Sequence, residues 1–489
     1  MNKKETNTRL YITTTLPYVN ADPHIGFAAE IIRADIIARF AELSGKKVFF
    51  NTGTDEHGAK IYKNAQAAGK TPKEYVDQYA MKFQALKEIL NLKDGLNFIR
   101  TTDENHVRAA EEFWRRCHKN GFIDKKKYTT KYCVGCELEK TDSELENGRC
   151  PLHPNQEIEH IEEENYFFKF SEFKDKLLKF YDANPEFVVP QTRFNEIKAF
   201  VGRGLQDFSI SRLKAKMPWG IEVPGDPEHV MYVWFDALVS YIAAVGWPDD
   251  EKKFNEWWRD AENVIQYCGK DNLRQQSAMW QAMLMAAELP NSKQIIVTGF
   301  VTGDGGIKMS KSLGNVINPL DLVNEFGTDA LRYFVAHELL LYEDSPFTTE
   351  RFKESYNVGL ANGLGNLVSR ILKMSSSYGV TVTFPPKTST QEATPAWFEE
   401  AFKGFDIKKA IDHIWSRIEW LDNYIQEKQP FKKIKTDEVG AKRDVSEMLE
   451  KLYYIAELLK PFLPVAAQKI LSLLKENKAP EAPLFPRRD

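Results

Sequence analysis

A short β-branched run, LYITTTL, is closed by Pro17, followed by a long helical pattern and then by a second apolar run, KKVFFNTGT. Between the runs, Ile25, Ile31, Ile32, Ile36 and Phe40 recur at helical spacing, and Ser44-Gly45 stops the helix. Two strands joined through a helix pair in parallel, by a right-handed crossover. A parallel sheet needs helices on both faces. This opening therefore predicts an α/β fold, a Rossmann-like doubly wound parallel sheet.

The α/β pattern breaks near Phe113. A lysine run (Lys125, Lys126, Lys127), a cysteine cluster and the acidic stretch EIEHIEEE follow, and they read as an insertion. The pattern returns at VMYVWFDALV and continues through NVIQYCGKD and KQIIVTGFV as buried strands. Beyond about residue 350 the chain reads as helical. Ile407, Ala410, Ile411, Ile414, Ile418, Leu421 and Ile425 mark one helix ending at Pro430, SEMLEKLYYIAELLK marks another, and TVTFPPKTSTQEATP is a linker. The expected units are 1–112 and 229–350 as two halves of one α/β domain, 113–228 as the insertion, and 351–489 as an α-helical bundle. Composition narrows the function. With 66 Lys plus Arg against 70 Asp plus Glu, the net charge of −4 excludes an overall basic nucleic-acid coat. Five cysteines in 489 residues are no disulfide scaffold. No apolar run reaches the ~20 residues of a membrane helix, and the N-terminus lacks a signal-peptide core. A cytoplasmic enzyme with no membrane partner is expected.

Two segments carry anion-binding chemistry. His24-Ile25-Gly26 lies between the first strand and its helix, where free N–H groups and the helix dipole favour a phosphate. His24 can donate to a phosphate oxygen, and Gly26 allows close approach. Lys308-Met309-Ser310-Lys311-Ser312 lies on a glycine-flanked loop after a late strand, placing two lysines where they can close on a polyphosphate. Separately, Cys133-x-x-Cys136 and Cys150-x-x-His153 are two short ligand pairs thirteen residues apart. Three thiolates and an imidazole suit one structural zinc in tetrahedral geometry. Cys117 and Cys268 have no partner at such spacing and read as ordinary buried thiols.

The paired His-Ile-Gly and KMSKS segments resemble the signatures of class I aminoacyl-tRNA synthetases. The chain departs from the first at its fourth position, which is Phe27 where the family has histidine. The resemblance implies ATP with magnesium, an amino-acid adenylate, and transfer to tRNA. It implies catalytic roles for His24, Lys308 and Lys311, and ATP binding by His24, Gly26, Gly269, Lys270, Asp271, Lys308, Met309, Ser310, Lys311 and Ser312. Within class I the chain is most similar to the methionyl-tRNA synthetases, along nearly its whole length, through TTTLPYVNADPHIG, NTGTDEHG, VWFDALVSY, GKDNLRQQSAMW and GIKMSKSLGNVINP. That likeness implies that Asp55 holds the α-ammonium group of methionine and that Leu16, Tyr18, Trp234, Ala237, Tyr241, Gln276 and Trp280 line its pocket. Gln276 stands where the family often has histidine, and Leu238 where some members have proline.

The same resemblance makes the bundle an anticodon-binding domain for tRNA(Met), with Asn366 and Arg370 at i and i+4 on one helix face and Phe431 as a stacking ring. The family usually has tryptophan at the last position. Synthetases for valine, isoleucine and leucine carry a much larger editing domain than residues 113–228 can hold, which favours methionine. No further domain is expected after the bundle, and a monomer is expected. Two alternatives stand at this point: a class I ligase for another amino acid, and a catalytically idle relative that only binds tRNA.

Overall fold

The computed structural model describes residues 8–136, 138–140, 142–307, 309, 316–384 and 395–488. Six parallel strands form the central sheet, in the spatial order Asn97–Arg100, Lys47–Thr54, Arg9–Thr13, Asn263–Gly269, Gln294–Thr298, Val188–Val189. The α/β expectation holds, and the opening strand, helix and strand fall at Arg9–Thr13, Ile25–Leu43 and Lys47–Thr54. The helix is buried on nearly every side, Glu30, Arg33 and Asp35 included. The reason is its position: it is covered by the sheet on one side and by the C-terminal helices on the other, where Phe40 stacks on Phe402 at 3.8 Å.

The segment read as an insertion contributes to the core. Val188–Val189 pairs with Ile295 and Ile296 as the edge strand of the main sheet. Helix Glu104–Lys119 runs through residue 113 without a break. The protruding part is an antiparallel hairpin of Ile123–Cys133 and Glu159–Phe168. Each lysine of the run finds a carboxylate: Lys127 faces Glu164 across the strands, Lys125 pairs with Asp226 at 2.7 Å and Lys126 with Asp207 at 3.3 Å. Opposite charges on adjacent strands stabilise a ribbon that has little core of its own.

The motif VMYVWFDALV divides at Tyr232. Its first residues end strand Asp226–Met231, and the rest opens helix Val233–Ala243. In the bundle, the expected apolar positions from Ile407 to Ile425 are all buried in helix Ile407–Lys428. One continuous apolar cluster runs from the sheet into this bundle. A polar joint crosses it. Arg332, wholly buried, donates to the carbonyls of Pro461 and Phe462, each at 2.8 Å, and to Asp35 Oδ2 at 2.7 Å. Arg39 donates to the same Asp35 oxygen at 2.7 Å. No helix among the described residues is long and apolar enough to cross a membrane.

Candidate active site

Strand order reverses between Arg9–Thr13 and Asn263–Gly269. A crevice opens at such a switch point, beyond the carboxyl ends of the strands. His24 stands there as the N-cap of the first helix, exposed, its Nδ1 accepting from the Gly26 N–H at 3.1 Å. An Nδ1 that accepts leaves the ring proton on Nε2 in the neutral imidazole, making that atom a donor. A side chain on residue 26 would bring its Cβ within 2.9 Å of the His24 ring, which accounts for the glycine. Phe27 packs edge-on against Phe83, with centroids 5.4 Å apart, so the divergent fourth position is a packing contact between helices.

The Ile25 N–H donates to the Ile317 carbonyl at 3.0 Å, which ties residue 317, five positions past the last KMSKS residue, to the first-helix turn. Met309 is half-buried against the core that holds this helix. Lys308, Ser310, Lys311 and Ser312 lie outside the described residues. Gly269 ends its strand where a Cβ would come 2.8 Å from Asp271 Oδ1, and Asp271 accepts from Asn272. Lys270 is engaged with Asp344 at 2.7 Å, over the ring of Phe300.

Glu30, one and a half turns into the first helix, is a polar residue that sequence patterning missed. Its carboxyl accepts from the Thr15 N–H at 2.8 Å. Burial pushes it up to about 8; the Thr15 bonds oppose this, and nearby Asp271 adds to it. The unfolded chain releases this proton near pH 4.5, whereas the folded chain keeps it to about pH 8. Stability should therefore fall between those values, by about 1.4 kcal/mol per pH unit from this group. Chemical denaturation of Glu30→Gln across that range should show a correspondingly flatter profile than the parent.

The expected amino-acid pocket residues come from four parts of the chain. Leu16 and Tyr18 follow the first strand, and Tyr18 bridges to Asp55 at the end of the second. Asp55 is buried, its N–H donating to Pro17 and its carbonyl accepting from Val19. Trp234, Ala237 and Tyr241 lie along helix Val233–Ala243. Trp280 is fully buried, stacked on Phe113 and edge-on to Tyr241. Gln276 donates to the Tyr241 hydroxyl.

A chain of hydrogen bonds behind Gln276 has its direction fixed by the backbone. The Ser292 N–H donates to Gln281 Oε1, so Gln281 Nε2 donates to the Ser292 hydroxyl at 3.0 Å. That hydroxyl donates to Gln266 Oε1, and Gln266 Nε2 donates to Gln276 Oε1 at 3.0 Å. Gln276 is thereby held with its amide nitrogen toward Tyr241. Sequence reading found Gln276 but not Gln266, Gln281 or Ser292, whose only signal is their polarity within apolar stretches.

The four expected ligands also converge. The donor atoms of Cys133, Cys136, Cys150 and His153 lie within 4.8 Å of one another. Cys136 and Cys150 sulfurs are 3.4 Å apart, and His153 Nδ1 is 3.3–3.9 Å from the three sulfurs. The edge of a tetrahedron with metal–sulfur bonds of about 2.3 Å is roughly 3.8 Å, so one metal ion fits this group. The Cys136 N–H donates to Cys133 sulfur, and a side chain at Gly135 would meet the His153 ring at 2.5 Å. Cys117 and Cys268 are buried thiols, as expected.

The bundle residues lie apart from this crevice. Asn366 is exposed at the start of helix Asn366–Tyr378, whereas Arg370 is half-buried and ion-paired with Asp422. Phe431 is 42% exposed in the short helix Pro430–Lys433, beside Lys432.

Comparison with known proteins gives two family matches. The family model for class I tRNA synthetases (M) matches residues 10–160 and 136–372, and that for the anticodon binding domain of methionyl tRNA ligase matches 390–483. A methionine–tRNA ligase of Clostridium acetobutylicum is 39% identical over 95% of this chain and 73% of its own length. One from Nostoc sp. is 38% identical over 95% of this chain and 89% of its own. The Mycobacterium tuberculosis methionyl-tRNA synthetase in complex with methionyl-adenylate superposes with a TM-score of 0.89 at 34% identity, covering 98% of this chain and 100% of that one.

Proposed function

From the chain's membership of the methionyl-tRNA synthetases in class I, we propose how its own residues divide the work of a methionine–tRNA ligase. Such an enzyme activates methionine with ATP and transfers it to tRNA. A methionine carboxylate oxygen attacks the α-phosphorus, the bond to the β-phosphate breaks, and pyrophosphate leaves. A ribose hydroxyl at the tRNA terminus then attacks the adenylate carbonyl and AMP leaves. No covalent enzyme intermediate is needed, so catalysis is alignment and stabilisation of phosphoryl charge.

In this reading the two signatures hold ATP together. His24 Nε2, Lys308 and Lys311 face the charge that develops on the phosphates, with the glycines 26 and 269, Lys270, Asp271, Met309, Ser310 and Ser312 around the nucleotide. Magnesium accompanies ATP and neutralises its phosphates. Asp55 pairs with the methionine ammonium group. Leu16, Tyr18, Trp234, Ala237, Tyr241, Gln276 and Trp280 enclose the thioether, where ring–sulfur contacts contribute about 0.3–1.5 kcal/mol each. The observation that carries the reading is the Ile25–Ile317 bond, which ties the chain just beyond the second signature to the helix that opens at His24.

We assign the Cys133, Cys136, Cys150 and His153 group to one structural zinc. Burial and the neighbouring thiols push Cys136 up to about 12 without a cation, the electrostatic demand that a metal ion satisfies. Elemental analysis of protein purified without chelator should give one zinc per chain. A value well below one would exclude the assignment.

The bundle reads tRNA(Met) through Asn366, Arg370 and Phe431. Amino-acid-dependent ATP–pyrophosphate exchange, run with all twenty amino acids, should respond to methionine alone. Phe431→Ala should leave that exchange intact while reducing tRNA charging by roughly 10–100-fold, the loss of one stacked base. Equal losses in both reactions would remove Phe431 from the tRNA site. Exchange with a different amino acid would discard the pocket.

A further inference from the structure

Asp236 is the one acid in the apolar sequence VWFDALVSY, and the structure buries it completely. His57 Nδ1 lies 2.6 Å from its Oδ2, and His106 Nε2 lies 2.5 Å from its Oδ1. Both imidazoles are themselves buried. Burial alone would raise the Asp236 carboxyl, but the two histidines outweigh it and bring it down to about 2. The group is thus an ionised carboxylate with both oxygens engaged, in a place where an unpaired charge would be severely costly.

Three parts of the chain meet there. Asp236 lies on helix Val233–Ala243, between Trp234 and Ala237 and five residues before Tyr241. His57 is two residues after Asp55, in the loop that leaves the second strand. His106 is on helix Glu104–Lys119, which packs against the Asp236 helix through Phe113 and Phe235, 5.7 Å apart. The loop has a second fastening. Trp219 lies 5.6 Å from the His57 ring, its Nε1 donates to the Glu56 carbonyl, and its own carbonyl accepts from the Gly58 N–H. Glu56, in turn, is held by Arg100 through two bonds of 2.7 and 2.8 Å.

We infer that Asp236 is a positioning residue for methionine: through His57 it sets the distance between the Asp55 carboxylate and the aromatic wall of the pocket helix. The inference rests on the reading of Asp55 as the partner of the substrate ammonium group. Asp236 touches no substrate. It locks together the two walls that must grip the ammonium and thioether ends of one small molecule at once. His106 holds the other Asp236 oxygen from the scaffold side, so its role is to support the carboxylate. ATP binds across the crevice at the first helix and does not depend on this spacing. The effect should therefore be selective for the amino acid.

The test is steady-state ATP–pyrophosphate exchange with the full-length protein, titrating L-methionine and ATP separately. Asp236→Asn should raise the KM for methionine at least about tenfold, with kcat/KM for methionine falling about 100-fold, as misplacement by about 1 Å does. The KM for ATP should move less than about twofold. His57→Ala, which leaves Asp236 supported by His106, should reproduce this pattern and also serves if Asp236→Asn does not fold. His57→Asn keeps an amide nitrogen near the Nδ1 position and should restore the methionine KM to within about threefold of the parent. Equal rises in both KM values, or a lowered melting temperature with unchanged kinetics, would reduce the Asp236 cluster to a structural element and overturn the inference. Asp55→Asn is the separate control. If it leaves the methionine KM unchanged, the ammonium assignment fails, whatever Asp236 does.

Discussion

Replacing His24 with alanine is expected to slow methionyl-adenylate formation by about 10²–10³-fold, the usual cost of removing one donor aimed at transition-state charge. The KM for methionine should hardly change, because the donor acts on the phosphate and not on the amino acid. The structure sharpens the prediction beyond deletion. His24 Nδ1 is already an acceptor for the Gly26 N–H, so Nε2 is the donor. Glutamine places an amide nitrogen near the Nε2 position, and asparagine places one near Nδ1. His24→Gln should therefore retain more exchange activity than His24→Asn, which should resemble His24→Ala. Single-turnover formation of the adenylate measures the ranking. Asparagine outperforming glutamine would mean that Nδ1 is the working atom.

The largest stability effect should come from Gly53→Ala. Gly53 lies in strand Lys47–Thr54, opposite Ile99 in strand Asn97–Arg100. An added Cβ would sit 1.8 Å from the Ile99 carbonyl oxygen and 2.8 Å from its carbon. These are backbone atoms in a hydrogen-bonded ladder, so no side chain can turn aside to make room. The two strands must separate at the point that delivers Asp55 and Glu56 to the site. A loss of at least about 4 kcal/mol is expected, which belongs to the extreme of single substitutions. At about 2–4 °C per kcal/mol, scanning calorimetry should record a melting temperature lower by roughly 8–16 °C. Gly202→Ala is the control: it meets open space and should fall within about 0.5 kcal/mol of the parent.

Much of the fold is legible because local pattern and tertiary burial agree. The helix carrying Ile407 to Ile425 shows one apolar stripe and buries that stripe. The parallel sheet is legible from the two β-branched runs around the first helix. The edge strand Val188–Val189 is not, because two residues carry no periodicity and their partners lie more than a hundred positions away. The burial of the first helix is equally hidden: the partners that hold its charged residues, Thr15, Leu340, Arg332 and Lys93, mostly come from distant parts of the chain.

At the candidate site, motif spacing exposes residues that share a short segment, such as His24 with Gly26 or Cys133 with Cys136. It hides residues that meet only through the fold. Asp236, His57 and His106 are 49 to 179 positions apart, since His57 to His106 spans 49 and His57 to Asp236 spans 179. The relay from Gln281 to Tyr241 is likewise invisible until its members are brought side by side.

The buried Arg332 joint bears on how such a chain can be rearranged. Its guanidinium belongs to the last part of the catalytic half, yet two of its acceptors are the Pro461 and Phe462 carbonyls of the bundle. Cutting or swapping the bundle would remove two of the guanidinium's acceptors and leave it only the Leu90 carbonyl and the Asp35 carboxylate of the helix that begins at the His24 turn. The bundle is therefore not an interchangeable module. A chimera that imports a foreign bundle must present acceptors at the same places in this joint, so the two halves are inherited together.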